Sequence, residues 1–278
     1  MRAAALPSWL DPRSVRAVAM DLDHTLVPDS LELSKASVEA VRAAEEAGIR
    51  AIVATGRMFR SALPFVRRLG VTAPVVCYQG ALIADPVSGE WLEHRPIPPE
   101  LAREVIALLE GAGVHVNAYV GDEIYVGHLS EEALLYARHS RLEAHAVGDL
   151  GAWLSQPTTK LVAIAGEDEL EACQPLLHER FGGRLFVAKS LPNFLEIALP
   201  GVSKGSGLRR VCELLRLDPE AVVAFGDGQN DIELLETAGL GVAMADADER
   251  LLERADWTVP GVEEDGVAGF LQALVGSR

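Results

Sequence analysis

Short apolar runs alternate with helix-like segments over the first 84 residues of the chain. The run 15–20 is short and apolar and is followed at once by carboxylates, which is typical of a buried strand. Within 34–47, apolar residues recur at Val38, Val41 and Ala44, the spacing of one helix face. The same alternation predicts a strand at 49–54, a helix at 60–69 and strands at 74–78 and 81–84. Strand and helix in alternation predict a parallel sheet with right-handed crossovers.

The pattern changes between residues 85 and 190. Turn-forming residues fill 85–89, and the segments after them mix hairpin-like strands with helices. The elements predicted there are helices 99–110, 131–138 and 167–180 and strands 114–119, 123–126, 160–165 and 186–188. The middle of the chain is therefore predicted to be a separate domain of α+β type.

The run 194–199, like 186–188, is predicted to be a closing strand of this middle region, although the domain boundary is drawn at residue 190. After Pro200-Gly201 the alternation of strand and helix resumes. The elements predicted there are strands 221–225, 241–244 and 257–259 and helices 204–215, 231–238, 248–254 and 266–274. The simplest architecture is α/β. A Rossmann-like, doubly wound parallel sheet is built from residues 1–84 and 191–278, and an α+β domain is inserted at 85–190.

The net charge of the chain limits the classes of partner that we expect it to bind. The chain has 41 acidic and 25 basic residues, a formal net charge of −16. Phosphate backbones and anionic bilayers attract basic surfaces, so this balance argues against nucleic-acid and membrane partners.

Cys77, Cys173 and Cys212 are too few and too widely spaced for a disulfide framework. With no signal-like apolar stretch in residues 1–10 and no run long enough to span a bilayer, we expect a cytoplasmic protein, and its oligomeric state stays open.

Four polar clusters stand in a fixed order at the ends of predicted strands or at a helix start. They are residues 21–25 (DLDHT), 55–57 (TGR), Lys204 and 226–231 (GDGQND). All except Lys204 come directly after a predicted core strand, and ligands of open parallel sheets bind at the carboxyl ends of the strands. We therefore expect the clusters to converge on one edge of the sheet.

The first cluster indicates a metal ion. Asp21 and Asp23 are two residues apart, so an extended backbone points both side chains the same way. Carboxylates this close repel one another unless a cation lies between them. A hard divalent ion with oxygen ligands relieves the repulsion, and Mg²⁺ is the simplest choice. The clusters together supply the parts of a magnesium-assisted phosphoryl-transfer site.

Each cluster also has a purely structural interpretation. A carboxylate at the end of a strand can cap the next helix, and Thr55 can cap the helix at 60–69. Lys204 can be a solvated lysine, but a helix start is a poor place for a cation because of the helix dipole. That placement indicates an anionic partner, and the four clusters in order are harder to explain structurally than any one of them.

The four clusters in order resemble the motifs of the haloacid dehalogenase superfamily of phosphohydrolases. Asp21-x-Asp23-x-Thr25 is similar to its first motif, Thr55-Gly56-Arg57 to its second, Lys204 to its third and Gly226-Asp227-x-x-x-Asp231 to its fourth. The long interval between Thr55 and Lys204 resembles that of the Cof-like sugar-phosphate phosphatases of type IIB, which carry a C2 cap there. The inserted domain is therefore expected to be a cap. Further similar pieces at 79–81, 191–197, 241–244 and 264–268 extend the resemblance over nearly the full length.

The resemblance implies a Mg²⁺-dependent phosphomonoester hydrolase acting on a small phosphorylated metabolite such as a sugar phosphate. Asp21 is then the nucleophile that forms an aspartyl-phosphate, and Asp23 is the general acid and base. The implied metal ligands are Asp21, Asp23 through its backbone carbonyl and Asp227, with Asp231 either a ligand through water or an anchor. The residues implied to hold the phosphoryl oxygens are Thr55, Gly56, Lys204 and Asn230.

Two other functions stay open on the sequence. A phosphotransferase or phosphomutase uses the same aspartyl-phosphate and passes the phosphoryl group to a second sugar. A non-catalytic binding module keeps the fold alone, but it has no chemical need for the intact set Asp21, Asp23, Lys204 and Asp227. The departures from residues common in the family are at His24, Gln79 and 245–246, and none of them removes a core charge.

Overall fold

A computed structural model of the protein describes residues 6–130 and 142–278. The chain divides into two compact units: the first combines Met1–Glu93 with Ser203–Arg278, and the second is His94–Val202. The helix predicted at 131–138 lies outside the described residues. The predicted α/β core with a parallel sheet is confirmed.

Numbered along the chain, the strands are β1 (Ala17–Met20), β2 (Arg50–Val53), β3 (Val75–Cys77), β4 (Leu82–Ala84), β5 (Trp91–His94), β6 (His115–Val120), β7 (Glu123–Val126), β8 (Ala144–Ala146), β9 (Leu161–Ile164), β10 (Phe186–Leu191), β11 (Phe194–Ala198), β12 (Val222–Gly226), β13 (Leu240–Met244) and β14 (Trp257–Val259). The α-helices are Lys35–Glu46, Phe59–Leu69, Pro99–Gly111, Leu150–Trp153, Glu167–Phe181, Lys204–Leu215, Ile232–Thr237, Glu249–Leu252 and Gly266–Gly276. The elements that the sequence pattern did not predict are β5, β8 and the helix Leu150–Trp153. Each is three or four residues long, too short to show a periodicity.

The second unit begins and ends later than the predicted boundaries of 85 and 190. β5 joins the sheet of β3 and β4, and its residues up to Glu93 belong to the first unit. β11 lies between β10 and β9 in the sheet of the second unit, as a closing strand of the middle region would, although the predicted boundary at residue 190 left it in the segment 191–278.

The first unit is built on a parallel sheet with the strand order β14-β13-β12-β1-β2. β1 is buried along its whole length and pairs with β12 on one side and β2 on the other. Its last residue, Met20, is opposite Phe225 of β12 and Val53 of β2. The three strands therefore end at one level, which places Asp21 beside the residues that follow β2 and β12.

β3 does not extend this sheet as the alternation of strands and helices predicted. It pairs antiparallel with β4 in a separate three-stranded sheet of the order β3-β4-β5. Its contact with the parallel sheet is one bridge between Ala54 and Val76, beside which Thr55 N–H donates to the Val76 carbonyl at 2.8 Å. Tyr78 and Gln79 both have positive φ, and this turn folds the chain back after only three strand residues.

The helix Lys204–Leu215 packs so closely on its neighbours that two of its positions need glycine. A Cβ on Gly207 would stand 2.3 Å from Cγ1 of Val76, and a Cβ on Gly205 would stand 2.3 Å from the carbonyl oxygen of Glu233. Protein interiors have no room for such an overlap. The first turn of this helix is thereby fixed against β3 and against the helix that follows β12.

The second unit has a six-stranded sheet in the order β10-β11-β9-β6-β7-β8. β7 and β8 run parallel and the other paired strands antiparallel. The helices Pro99–Gly111 and Glu167–Phe181 bury their apolar faces in one core with alternate residues of β6, β9 and β11. Within residues 6–130 and 142–278, no helix has the length and apolar character that a bilayer span requires.

Candidate active site

Asp21 and Lys204 form a buried charged pair at the carboxyl end of β1. Asp21 continues the strand, since its N–H donates to the Phe225 carbonyl at 3.1 Å. Lys204 Nζ lies 3.0 Å from Asp21 Oδ1 and 2.7 Å from Asp231 Oδ1. All three side chains are buried. The structure thus brings three of the predicted site residues together, from three distant parts of the sequence.

The charges in this cluster do not balance. Burial opposes the charged form of Lys204, but the carboxylates of Asp21 and Asp231 outweigh it and raise the pKa of the ammonium above its ordinary value. Burial also raises the pKa of Asp21 well above its usual range, against the pull of Lys204, and the neighbouring aspartates push it the same way. One lysine therefore does not compensate the carboxylates around it.

Asp227 faces the same cluster from the loop after β12. Its Oδ1 accepts a hydrogen bond from Thr25 Oγ1 at 2.9 Å, which links the first and fourth sequence clusters. Burial, followed by the charge of Asp231, raises the pKa of Asp227 to about 6, although the Thr25 hydrogen bond and Lys204 lower it. Near neutral pH, the ionised form of Asp227 therefore lowers the stability of the metal-free fold.

Asp231 is engaged through both of its carboxylate oxygens. Oδ1 accepts from Lys204, and Oδ2 accepts from the backbone N–H groups of Asp227 and Gly228 at 3.2 and 3.1 Å. A Cβ on Gly226 would stand 2.4 Å from the Cβ of Asp231, so glycine is needed for this close approach. Of the two roles left open for Asp231, these contacts favour the anchor over the metal ligand.

The carboxylate cluster fits a hard divalent cation. Asp21, Asp227 and Asp231 each have one carboxylate oxygen within 4.8 Å of the other two. Because both oxygens of Asp231 already accept hydrogen bonds, Asp21 and Asp227 are the carboxylates that would bind the ion directly. Within the described residues, the buried Oδ1 of Asp21 accepts no hydrogen bond of regular geometry, although Lys204 Nζ stands near it. Mg²⁺ prefers oxygen ligands, and carboxylate oxygens whose negative charge is not compensated by a neighbouring cation suit it well. The side-chain carboxylate of Asp23 is outside this group, so a contribution of Asp23 to the metal would come from its backbone carbonyl, as the resemblance implies.

Mg²⁺ is expected to raise the thermal unfolding temperature more at about pH 7.5 than at about pH 5. At the lower pH most molecules carry a proton on Asp227, whose pKa is about 6, and the metal must displace it. Because this pKa lies above the unfolded value, the metal-free fold loses stability as the pH rises from about 4 through 6, and the ion recovers that loss above pH 6.

The measurement is thermal unfolding with and without saturating Mg²⁺, on the wild type, Asp227→Asn and the control Asp29→Asn. Asp29 is an exposed aspartate in the loop after β1. The rise should vanish in Asp227→Asn and persist in the control. An equal rise at both pH values, or one retained by Asp227→Asn, would remove Asp227 from the metal site.

Thr55 and Gly56 form a tight turn at the end of β2. Thr55 is fully buried, and its Oγ1 accepts the Arg57 N–H at 3.2 Å, which leaves the hydroxyl hydrogen to donate elsewhere. A Cβ on Gly56 would stand 2.5 Å from Nε2 of Gln79, so the turn at residue 79 lies directly against this glycine. The turn therefore offers a hydroxyl and a backbone N–H for an anion.

Asn230 is joined to the same turn through Gln79. Its Nδ2 donates to Gln79 Oε1 at 3.2 Å, and Gln79 N–H donates to the Thr55 carbonyl at 3.1 Å. The sequence analysis included Gln79 in the similar piece 79–81 and noted that it departs from a common residue, but gave it no role. Its positive φ of 58° and its place between Thr55 and Asn230 make it part of the site.

Asp23 lies apart from the carboxylate cluster and has its own cation. Arg57 donates to both carboxylate oxygens of Asp23, from Nε at 3.1 and 2.8 Å and also from Nη2. The sequence placed Arg57 in the second motif but assigned it no role. His24, which follows Asp23 in the sequence, is exposed, and its Nδ1 stands 3.7 Å from Oδ1 of Asp29.

The chain is similar over most of its length to known proteins. Residues 18–271 match a family model described as haloacid dehalogenase-like hydrolase. The chain is 30% identical over 266 residues to the 5-amino-6-(5-phospho-D-ribitylamino)uracil phosphatase YitU of Bacillus subtilis, which covers 92% of this chain and 96% of that protein. It is 32% identical over 266 residues to the pyridoxal phosphate phosphatase YbhA of Escherichia coli, covering 93% and 98%.

The fold is also found among solved structures. The crystal structure of TM0651 from Thermotoga maritima matches with a TM-score of 0.86 at 33% identity, over 93% of this chain and 97% of that chain. These similarities include both compact units, because each extends over more than nine-tenths of the sequence.

Proposed function

Since the chain belongs to the haloacid dehalogenase-like hydrolase family and is a phosphatase, we propose that it hydrolyses phosphomonoesters of small metabolites with Mg²⁺ and an aspartyl-phosphate intermediate. The observation that carries this proposal is the buried Asp21 carboxylate, which pairs with Lys204 at 3.0 Å beside two further aspartates. Asp21 follows a central strand, and ligands of open parallel sheets bind at the carboxyl ends of the strands.

In the first step a carboxylate oxygen of Asp21 attacks the phosphorus of the substrate. The bond from phosphorus to the leaving oxygen breaks, and its electron pair stays on that oxygen. Asp23 gives this oxygen a proton, so the leaving group departs as an alcohol. When bound between Asp21, the Asp23 carbonyl and Asp227, Mg²⁺ would offset the repulsion between the attacking carboxylate and the phosphate dianion.

In the second step a water molecule attacks the phosphorus of the aspartyl-phosphate. Asp23, now ionised, takes the proton that the water loses. The bond from phosphorus to the Asp21 oxygen breaks, its electron pair returns to the carboxylate, and inorganic phosphate leaves. Both side chains are then back in their starting protonation states.

The charge of the transferring group is held by fixed donors. Lys204 supplies a buried ammonium, Thr55 a hydroxyl, Gly56 a backbone N–H and Asn230 an amide. Donors that are already in place cost no reorganisation when the negative charge moves, and such preorganisation is the main source of rate in phosphoryl transfer. Asp231 contributes indirectly, because it holds Lys204 and the loop after β12.

The substrate class follows from the relatives. Two of them are named for a phosphoribitylamino-uracil and for pyridoxal phosphate, both small phosphorylated molecules. We assign this chain to the same broad class of substrate. The net charge of −16 argues against a nucleic-acid backbone as the partner.

Phosphate release from a panel of phosphorylated metabolites should require Mg²⁺ and stop when EDTA removes it. The panel should include sugar phosphates, pyridoxal phosphate and p-nitrophenyl phosphate, and ranking by kcat/KM would order the substrates. Turnover that resists EDTA would contradict the metal-dependent mechanism. Phosphate that appears on an added second sugar instead of in solution would indicate a phosphotransferase, and the absence of any release would indicate a binding module.

A further inference from the structure

Arg57 holds the carboxylate of Asp23 firmly. The guanidinium donates from Nε to both oxygens and from Nη2 to Oδ1. Only 17% of the Arg57 side chain is exposed, against 39% for Asp23. A guanidinium that reaches both oxygens of a carboxylate fixes its orientation as well as its position, because the donors form a rigid planar fork.

Arg57 is itself fixed by its surroundings. Its guanidinium carbon stands 4.8 Å from the centroid of the Phe65 ring, and Nη1 donates to Ser61 Oγ at 3.5 Å. Phe65 and Ser61 belong to the helix Phe59–Leu69. In the backbone, Arg57 N–H donates to Thr55 Oγ1 and its carbonyl accepts from Tyr78 N–H. The position of Asp23 is thus set by a helix and by the Thr55 turn together.

The two aspartates of the first motif therefore have different cations. Lys204 pairs with Asp21, the nucleophile of the proposed reaction, and Arg57 pairs with Asp23, the proton carrier. Lys204 contacts Asp21 and Asp231, whereas the Arg57 guanidinium contacts Asp23, Ser61 and the Phe65 ring. Phosphoryl transfer and proton transfer are in this way assigned to separate groups of side chains.

We infer that Arg57 is a positioning residue that aims the Asp23 carboxylate for proton transfer in both steps and does not bind the phosphoryl group. The inference rests on the proposed function. It predicts a dependence on the leaving group, because an alkoxide needs the proton from Asp23 whereas p-nitrophenolate leaves without it. The attack of water on the aspartyl-phosphate needs Asp23 with either substrate.

The test compares the wild type with Arg57→Ala, Arg57→Lys and the control Arg254→Ala. Arg254 is an exposed arginine of the same unit that pairs with Glu236 at 2.8 Å. With the best alkyl phosphate of the panel, Arg57→Ala should lose about 10²-fold in kcat, with KM nearly unchanged, since a misplaced catalytic group costs on that order. Arg57→Lys should lie between, and Arg254→Ala should match the wild type.

Rapid mixing with p-nitrophenyl phosphate separates the two steps. Arg57→Ala should release one p-nitrophenolate per enzyme at nearly the wild-type rate and then turn over slowly, because only the water attack is impaired. Added guanidinium ion should restore part of the steady rate by filling the vacated position beside Asp23. Thermal unfolding of each variant shows whether the fold is retained.

Several outcomes would overturn the inference. A raised KM together with a slow first turnover of p-nitrophenyl phosphate would make Arg57 a phosphoryl-binding residue. An equal loss with both substrates, without guanidinium rescue and with a lowered unfolding temperature, would make it structural. An unchanged kcat in Arg57→Ala would leave it no role. If the wild type releases no phosphate from any substrate, the proposed function fails and this inference fails with it.

Discussion

Asp21→Asn is expected to abolish phosphate release and to leave the fold intact. The amide has the shape of the carboxylate but is not a nucleophile, so no aspartyl-phosphate can form. The pKa of Asp21 is raised well above its usual range by burial, and the fold therefore favours a neutral group at this position. The Lys204 ammonium keeps its 2.7 Å contact with Asp231 in the variant. The metal-free variant should accordingly unfold at the wild-type temperature or above it.

Phosphate release and thermal unfolding, measured together, check this expectation. Asp29→Asn serves as the matched control, because Asp29 is exposed and its substitution changes the net charge by the same amount. It should retain wild-type turnover. Full activity in Asp21→Asn would refute the nucleophile assignment, and loss of activity with loss of the fold would show that Asp21 is needed for folding.

Lys204→Met should impair both catalysis and stability. Methionine has a similar length but no charge, so the variant leaves the carboxylates of Asp21 and Asp231 buried without a cation. Removing one partner of a buried ion pair costs about 3 to 5 kcal/mol. The loss of a fixed positive charge beside the transferring phosphoryl group should lower kcat by about 10² to 10³-fold.

Denaturant unfolding at two pH values identifies the origin of the instability. The raised pKa of Asp21 means that it is protonated readily as the pH falls, so the penalty should be smaller at about pH 5 than at about pH 7.5. Lys35→Met, at an exposed position of the first helix, is the control and should behave as the wild type. A penalty that is absent at both pH values would show that Lys204 does not compensate the buried carboxylates.

Much of this fold could be predicted because its elements follow simple periodicities. The helix Lys204–Leu215 has its predicted ends, and Ser34 caps the helix Lys35–Glu46 by accepting from Ser37 N–H at 2.9 Å. The helix over 34–47 and the core strands were placed to within one or two residues. Periodicity identifies a strand or a helix, but it does not show which strands pair with one another in a sheet. β3 is an apolar run that was assigned to the parallel sheet for that reason, and this assignment was wrong.

The site residues could be predicted where a charged side chain stood at a position that a structural role explains poorly. A lysine at a helix start and aspartates at strand ends were visible as anomalies, and the structure brings Asp21, Lys204, Asp227 and Asp231 together. Arg57 and Gln79 were different. Arginine is a common surface residue, and only the direction of its side chain shows that it reaches Asp23. The place of Gln79 in the site depends on its positive φ. Positive φ is usually signalled in a sequence by glycine, and residue 79 is not a glycine.

The central position of β1 has a consequence for the order of folding. Ala17 is opposite Val222 of β12, and the second unit, with its own sheet and core, occupies the chain between them. A growing polypeptide therefore finishes that unit before β12, one of the two partner strands of β1, exists, and closing so long a separation is slow. Asp21 can meet Lys204 and Asp227 only after this closure. The charged groups of the site thus assemble late, and an incomplete chain carries Asp21 without Lys204 and Asp227 beside it.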